Sequence, residues 1–219
     1  SKSSITNFSN SGTISSNAGE AIYLGNADIK TFDNSGVIKS DNHYGVNIAS
    51  GTTIETFDNT GLIQSGDGDG KYGVSIVKST INTFINNGTI ISNGKSQPTS
   101  DGLVASGVYF NSSTIANFTN TSSISGIVGV KVTSSTIKNF TNKGTIKSTS
   151  NKNLATAIAI STLYSSGLST IENFTNEGLV QSNSNGILVE IGNKINTLIN
   201  KGTIEASLNG ISFYHYGNL

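Results

Sequence analysis

The 219-residue chain has no cysteine, no methionine, no tryptophan and a single proline, and its thirteen basic residues are all lysine. Each absence excludes something. Without cysteine there are no disulfides and no thiolate metal sites, so burial and hydrogen bonding alone must hold the fold, in a reducing or an oxidising compartment alike. Without arginine, and with thirteen lysines balanced by thirteen Asp plus Glu, no basic patch can fork onto phosphates, which argues against a nucleic-acid or heparin partner. No stretch approaches about 18 consecutive apolar residues, so no membrane span is expected in this segment. The opening residues Ser1-Lys2-Ser3-Ser4 read as the inside of a repeat and not as a signal peptide, and a piece of a longer protein is expected.

What the chain has in abundance is a repeat. The pattern I-x-x-[FL]-x-N-x-[GS]-x-[IV] occurs eight times, opened by Ile5, Ile29, Ile54, Ile81, Ile115, Ile137, Ile171 and Ile195. Successive openings lie 24, 25, 27, 34, 22, 34 and 24 residues apart, the range in which one copy is one turn of a solenoid. No composition break separates the copies, so residues 1–219 read as one elongated domain. A hydrophobic content of 34% suffices for such a rod, because every coil supplies the same inward positions to a continuous core.

Counting from the opening Ile as position 0, position +3 is Phe in seven copies and Leu198 in the eighth. Positions +3, +5, +7, +9 and +11 then carry the aromatic, Asn, Gly, Ile or Val, and a small residue, while the even positions are mostly polar and variable. That alternation is the period of a strand and not of a helix. After a variable segment comes a second element, a small residue followed by two apolar positions around a free one, as in Gly45-Val46-Asn47-Ile48 and Gly129-Val130-Lys131-Val132. The predicted fold is therefore all-β, a parallel β-helix (β-solenoid) of about eight coils with three short strands each. At about 4.8 Å per rung it would make a rod of roughly 40 Å. Pro98 falls in the longest variable segment, where no ladder hydrogen bond is lost. The competing fold is a leucine-rich repeat, whose period overlaps this one, but its L-x-x-L-x-L-x-x-N spacing is not matched.

Asn at +5 is identical in all eight copies, and Gly follows at +7 in seven, with Ser122 the exception. Eight amides in register suit a ligand stripe for a repetitive polymer or an ice lattice. The structural reading is stronger: Asn tolerates a left-handed bend, its amide both donates and accepts along the axis, and Gly supplies a second bend.

A coil with N-x-G-x-I and a stacked aromatic resembles the passenger regions of Gram-negative autotransporters and related surface adhesins. The resemblance spans nearly the whole chain and rests on a degenerate repeat. It implies a right-handed β-helix, exported through the outer membrane and displayed at the bacterial cell surface or shed, with a signal peptide and an outer-membrane barrel elsewhere in the full-length protein. It further implies a virulence-type role in attachment, the partner being a host-cell surface component, a glycan, or the same protein on a neighbouring cell. The absence of cysteine is similar to that family, where disulfides would obstruct passage of the chain.

Coil length varies mainly between +11 and the third strand, so insertions leave one corner of successive coils, where solenoids often place function. The largest are Gly66 to Tyr72, Asn93 to Ser106 and Thr149 to Thr156, with a separate one at Ser161 to Thr170. No cofactor is expected. Asp67 and Asp69 are the candidate Ca²⁺ ligands, weakened by Lys78 at the position where an EF-hand loop needs Glu. Tyr44 and Tyr72 precede the Gly of adjacent third strands and are the candidate ligand-binding pair, as surface aromatics that stack on sugar faces. Asp33 and Asp58, both at +4, would make a paired-carboxylate site for a polysaccharide-degrading enzyme. No further acid joins them at +4, the two histidines His43 and His215 lie in distant coils, and β-helix lyases generally use a basic residue, often Arg, so an enzyme is not expected. An inert structural stalk makes no demand on particular side chains.

Overall fold

Why the coils stack follows from where each repeat position points. A computed structural model describes residues 2–95, 104–150, 156–162 and 167–214. The described residues contain no helix and form three eight-stranded parallel sheets, each taking one strand from every coil. Coil three shows the unit, with strands Thr53–Asn59, Leu62–Gln64 and Tyr72–Val77. The fold is thus a β-solenoid of about eight turns, as the repeat predicts, and the leucine-rich alternative is excluded. Register is strict: Ile29 pairs with Ile54, Phe32 with Phe57 and Asn34 with Asn59, and equivalent positions face one another at every junction of the first sheet. Coils of 34 and 22 residues keep the same rungs, because the extra residues fall between strands: before the third strand, and in the coil opened by Ile137 also after it, between Ser161 and Thr170. Pro98 lies outside the described residues.

The interior is a set of stacks. Phe8, Phe32, Phe57, Phe84, Phe118, Phe140 and Phe174 form one column with ring centroids 4.5 to 5.2 Å apart. Phe110, from the third sheet, wedges edge-on between Phe84 and Phe118 at 6.3 and 5.7 Å, where the column spacing is widest. Columns of Ile from position 0 and position +9, and of Val and Ile from the third strand, fill the rest.

Ile at 0 and Phe at +3 are three residues apart, yet both are buried. A straight strand cannot do this, since odd spacings point to opposite faces. Pairing in the first sheet skips position +1 at all seven junctions, and this kink flips the parity so that both side chains reach the core.

Each corner is closed by a polar ladder. At the first, Nδ2 of each Asn donates to Oδ1 of the Asn in the next coil, from Asn10 to Asn200, at 2.7 to 2.8 Å. The axial amide ladder is therefore present. The expected left-handed bend is not: no Asn at +5 and no Gly at +7 has positive φ. Gly is required there for a different reason. A Cβ at Gly36, Gly61, Gly88, Gly144, Gly178 or Gly202 would lie 2.1 to 2.2 Å from the +7 carbonyl oxygen of the preceding coil.

The second corner is closed by the +11 hydroxyls, Ser40 Oγ donating to the Gly19 carbonyl at 2.7 Å and Ser92 Oγ to that of Lys71 at 2.7 Å. At the third corner, Thr52, Ser79, Ser113, Ser135 and Ser169 form a buried column. Ser113 N donates to Ser135 Oγ at 3.0 Å, and Ser113 Oγ donates to the Asn111 carbonyl at 2.9 Å. Seven of the eight described left-handed residues sit just before this column, at Asn26, Ser50, Gly51, Lys78, Ser112, Ser134 and Gly192, and Gly70 lies before the third strand of coil three.

Candidate functional site

The outward sides of the three sheets differ. On the first sheet Lys30, Glu55 and Lys138 are exposed. On the third, the outward column Ser75, Tyr109, Lys131 and Ala159 is buried, at 1 to 6% exposure. This is the face onto which the variable corner opens. The segments at Asn93 to Ser106, Thr149 to Thr156 and Ser161 to Thr170 lie partly outside the described residues.

Tyr44 and Tyr72 are neighbours, as their equivalent positions predict, with ring centroids 5.1 Å apart. Only Tyr44 is half-exposed; Tyr72, expected at the surface, is 2% exposed. The reason is a third ring, Tyr109, stacked on Tyr72 at 4.5 Å from the next coil. Pairing skips Gly73 and Gly107 where Tyr72 meets Ser106 and Val74 meets Val108, and the chain turns there so that Tyr72 joins the outward column. Sequence reading misses Tyr109 because it stands within its third strand and not before the Gly. It also misses Tyr23, which pairs with Asn47 one coil away and is 58% exposed.

Around Tyr44 the side chains are polar and half-buried. His43 lies 4.4 Å from its ring, Lys71 Nζ lies 5.5 Å from the ring centroid, and Asn47 Nδ2 donates to Glu20 Oε1 at 3.1 Å. His43 Nδ1 is 3.4 Å from the same Glu20 oxygen. Burial pushes the Glu20 carboxyl up, but its backbone N–H, Asn47, His43 and Lys71 together outweigh that and hold it below the usual range. Deeper along the face, Tyr72 Oη and Ser161 Oγ are buried without a hydrogen bond. The Tyr109 hydroxyl faces that of Thr133 without normal hydrogen-bond geometry.

Lys131 is 6% exposed with Nζ 6.0 Å from the Tyr109 ring centroid. Burial lowers its pKa from 10.5 to about 8, partly opposed by Glu190. The folded chain therefore binds fewer protons than the unfolded chain between about pH 8 and 10.5, and stability rises with pH there. The tyrosines act in the opposite sense: burial raises Tyr109 from 10.0 to about 12 and raises Tyr72 further, so stability falls above about pH 10. Thermal unfolding followed from pH 7 to 11 is expected to show a maximum near pH 10, and Lys131→Met is expected to remove the rise while leaving the fall.

Asp67 and Asp69 are exposed, and Asp67 Oδ2 is taken by Lys95 Nζ, whose hydrogen bond and charge hold its pKa down. Among the described residues no three His, Cys, Asp or Glu side chains converge as a metal-ion site. Asp33 and Asp58 are paired in register, one rung apart. Burial raises the Asp58 pKa, with Asn87 opposing and Asp33 adding to the shift; Asn87 Nδ2 donates to Asp58 Oδ1 at 3.2 Å. His43 stands across the rod, on the third-sheet side, and His215 lies outside the described residues. No described helix is long and apolar enough to cross a membrane. Compared with protein-family models, curated proteins and solved structures, the chain matches none.

Proposed function

We propose that this rod is an adhesin-like module of a bacterial surface or secreted protein, attaching to a glycan of a host surface through the outer face of its third sheet. The observation that carries this reading is the aromatic column Tyr44–Tyr72–Tyr109, which ends at the half-exposed Tyr44 beside His43 and Lys71. Sugars offer an apolar ring face and a rim of hydroxyls. Aromatic side chains take the first, and the groups of Glu20, His43, Asn47 and Lys71 take the second. Among the described side chains, Tyr23 and Tyr44 are the tyrosine rings open to solvent on this face. The repeat itself serves as a scaffold, since its identical residues are spent on core and corners. The resemblance to autotransporter passengers supports display outside the cell.

Binding to a glycan array and to cultured host cells tests the reading. The chain is expected to bind a subset of glycans, with Tyr23→Ala and Tyr44→Ala each weakening capture about tenfold, which is within what one well-placed aromatic contributes. Retention of full binding in both variants, or no glycan bound at all, would refute the assignment.

A further inference from the structure

We infer that two copies of this chain pair side by side and antiparallel through the outer faces of their first sheets, with a two-fold axis passing between coils four and five. This inference is independent of the glycan reading, because it uses a different sheet. The first sheet has the longest strands, seven or eight residues each. At about 3.3 Å per residue and 4.8 Å per rung, its face covers roughly 800 Å², about what each partner contributes to a standard interface.

The evidence for a second copy as the occupant is the order of side chains along each outward column. From coil one to coil eight, position +1 reads Thr6, Lys30, Glu55, Asn82, Ala116, Lys138, Glu172, Asn196. Its charges run neutral, plus, minus, neutral, neutral, plus, minus, neutral. A two-fold axis along the strand direction keeps each column opposite itself while reversing coil order. Lys30 then faces Glu172 of the second copy, and Glu55 faces Lys138, so each dimer holds four opposite-charge pairs. Parallel pairing in register would set Lys30 on Lys30 and Glu55 on Glu55.

The neighbouring columns obey the same reversal. Position +2 reads Asn7, Thr31, Thr56, Thr83, Asn117, Asn139, Asn173, Thr197, so every Thr meets an Asn. Position +4 reads Ser9, Asp33, Asp58, Ile85, Thr119, Thr141, Thr175, Ile199, so the two carboxylates meet hydroxyls and never each other. At the centre of the face coils four and five carry no charge at these positions, and Ile85 points outward.

Two further features fit. A trough of about 540 Å³ runs across coils one to four of this face, lined by Asp28, Lys30, Thr53, Glu55, Thr80 and Asn82 among others; it gives room for Lys138 and Glu172 of the second copy. Charge is also unequally shared along the rod, with nine Asp plus Glu against six Lys in residues 1–110 and four against seven in residues 111–219. Opposed halves steer two rods into the antiparallel encounter.

Sedimentation equilibrium of the full chain, at low and at physiological salt, tests the pairing. The wild type is expected to dimerise, more tightly at low salt. Glu55→Lys and Lys138→Glu alone are each expected to weaken the dimer by about tenfold or more, by setting like charges opposite each other. An equimolar mixture of the two single variants is expected to recover association, because Lys at 55 of one then faces Glu at 138 of the other, and the double variant is expected to recover it with itself. A wild type that stays monomeric, single variants that associate like wild type, or a mixture no better than its components would overturn the inference.

Discussion

Asn86→Ala is expected to destabilise the rod by about 3 kcal/mol, the upper end of what orphaning buried polar partners costs. Asn86 is fully buried, accepts from Asn59 Nδ2 and donates to Asn120 Oδ1, both at 2.8 Å. Its Nδ2 also reaches the carbonyls of Gly88 and Ser123 at 3.1 Å each. Alanine removes all of these at once, leaving the Asn59 amide only its longer bonds to the Gly61 and Thr89 carbonyls, at 3.2 and 3.4 Å, and the Asn120 amide oxygen without its donor, in a place water does not reach. The same substitution at the end of the rod supplies the control. Asn200 is exposed, accepts only from Asn176 at 2.8 Å and donates to the Gly202 carbonyl at 3.2 Å, so Asn200→Ala is expected to cost less than about 1 kcal/mol. Chemical denaturation of both variants measures the difference. Equal effects at the two sites would show that stacking neighbours do not set the cost.

Gly88→Ala is expected to cost about 2 to 3 kcal/mol, the usual range for an added methyl that finds no room. A Cβ on Gly88 would stand 2.2 Å from the Gly61 carbonyl oxygen. Both atoms belong to backbone held in ladders, so neither can step aside alone. The chain shows the consequence at its one natural exception. Ser122 carries a Cβ at this position; there the Ser123 N–H to Gly88 carbonyl bond is 3.2 Å, against 2.6 to 2.9 Å at the other six junctions. The Phe84 to Phe118 spacing is 5.2 Å, the widest in the column. At Gly12, in the first coil, nothing lies within 4 Å of an added Cβ, and Gly12→Ala is expected to change stability by less than about 0.5 kcal/mol. Identical motif positions thus give opposite outcomes according to whether a coil lies beneath.

Most of the architecture was legible in the sequence. Strict recurrence of Phe, Asn and Ile at fixed offsets reports the rungs, because identical side chains stack only when the coils are in register. The spacing of Ile54 to Phe57 also carried the kink, since three residues cannot lie on one face of a straight strand. The left-handed corner was not legible, because Asn, Ser, Lys and Gly share it without any common side-chain chemistry. At the candidate site, the adjacency of Tyr44 and Tyr72 followed from equivalent positions. The burial of Tyr72 did not, since it depends on Tyr109 one coil away. The amide column invited a ligand reading that its burial removes. The antisymmetric order of charges along position +1 was present in the sequence all along, and it gains meaning only once the columns are known to face outward from one sheet.

Eight sequence repeats are eight rungs of one rod, and electron spin–spin distances measure this directly. The chain has no native cysteine, so labels attach only where cysteines are introduced. Lys39, Ser125, Lys147, Gln181 and Glu205 occupy one outward register column of the second sheet. Pairs of labels joining Lys39 to each of the others span three, four, five and six rungs, so their separations are expected near about 14, 19, 24 and 29 Å. The step from Lys147 to Gln181 crosses a coil of 34 residues and that from Ser125 to Lys147 one of 22, yet both are expected to add the same increment of about 4.8 Å. Separations that grow with the number of intervening residues, and not with the number of rungs, would show that the repeats do not stack as rungs.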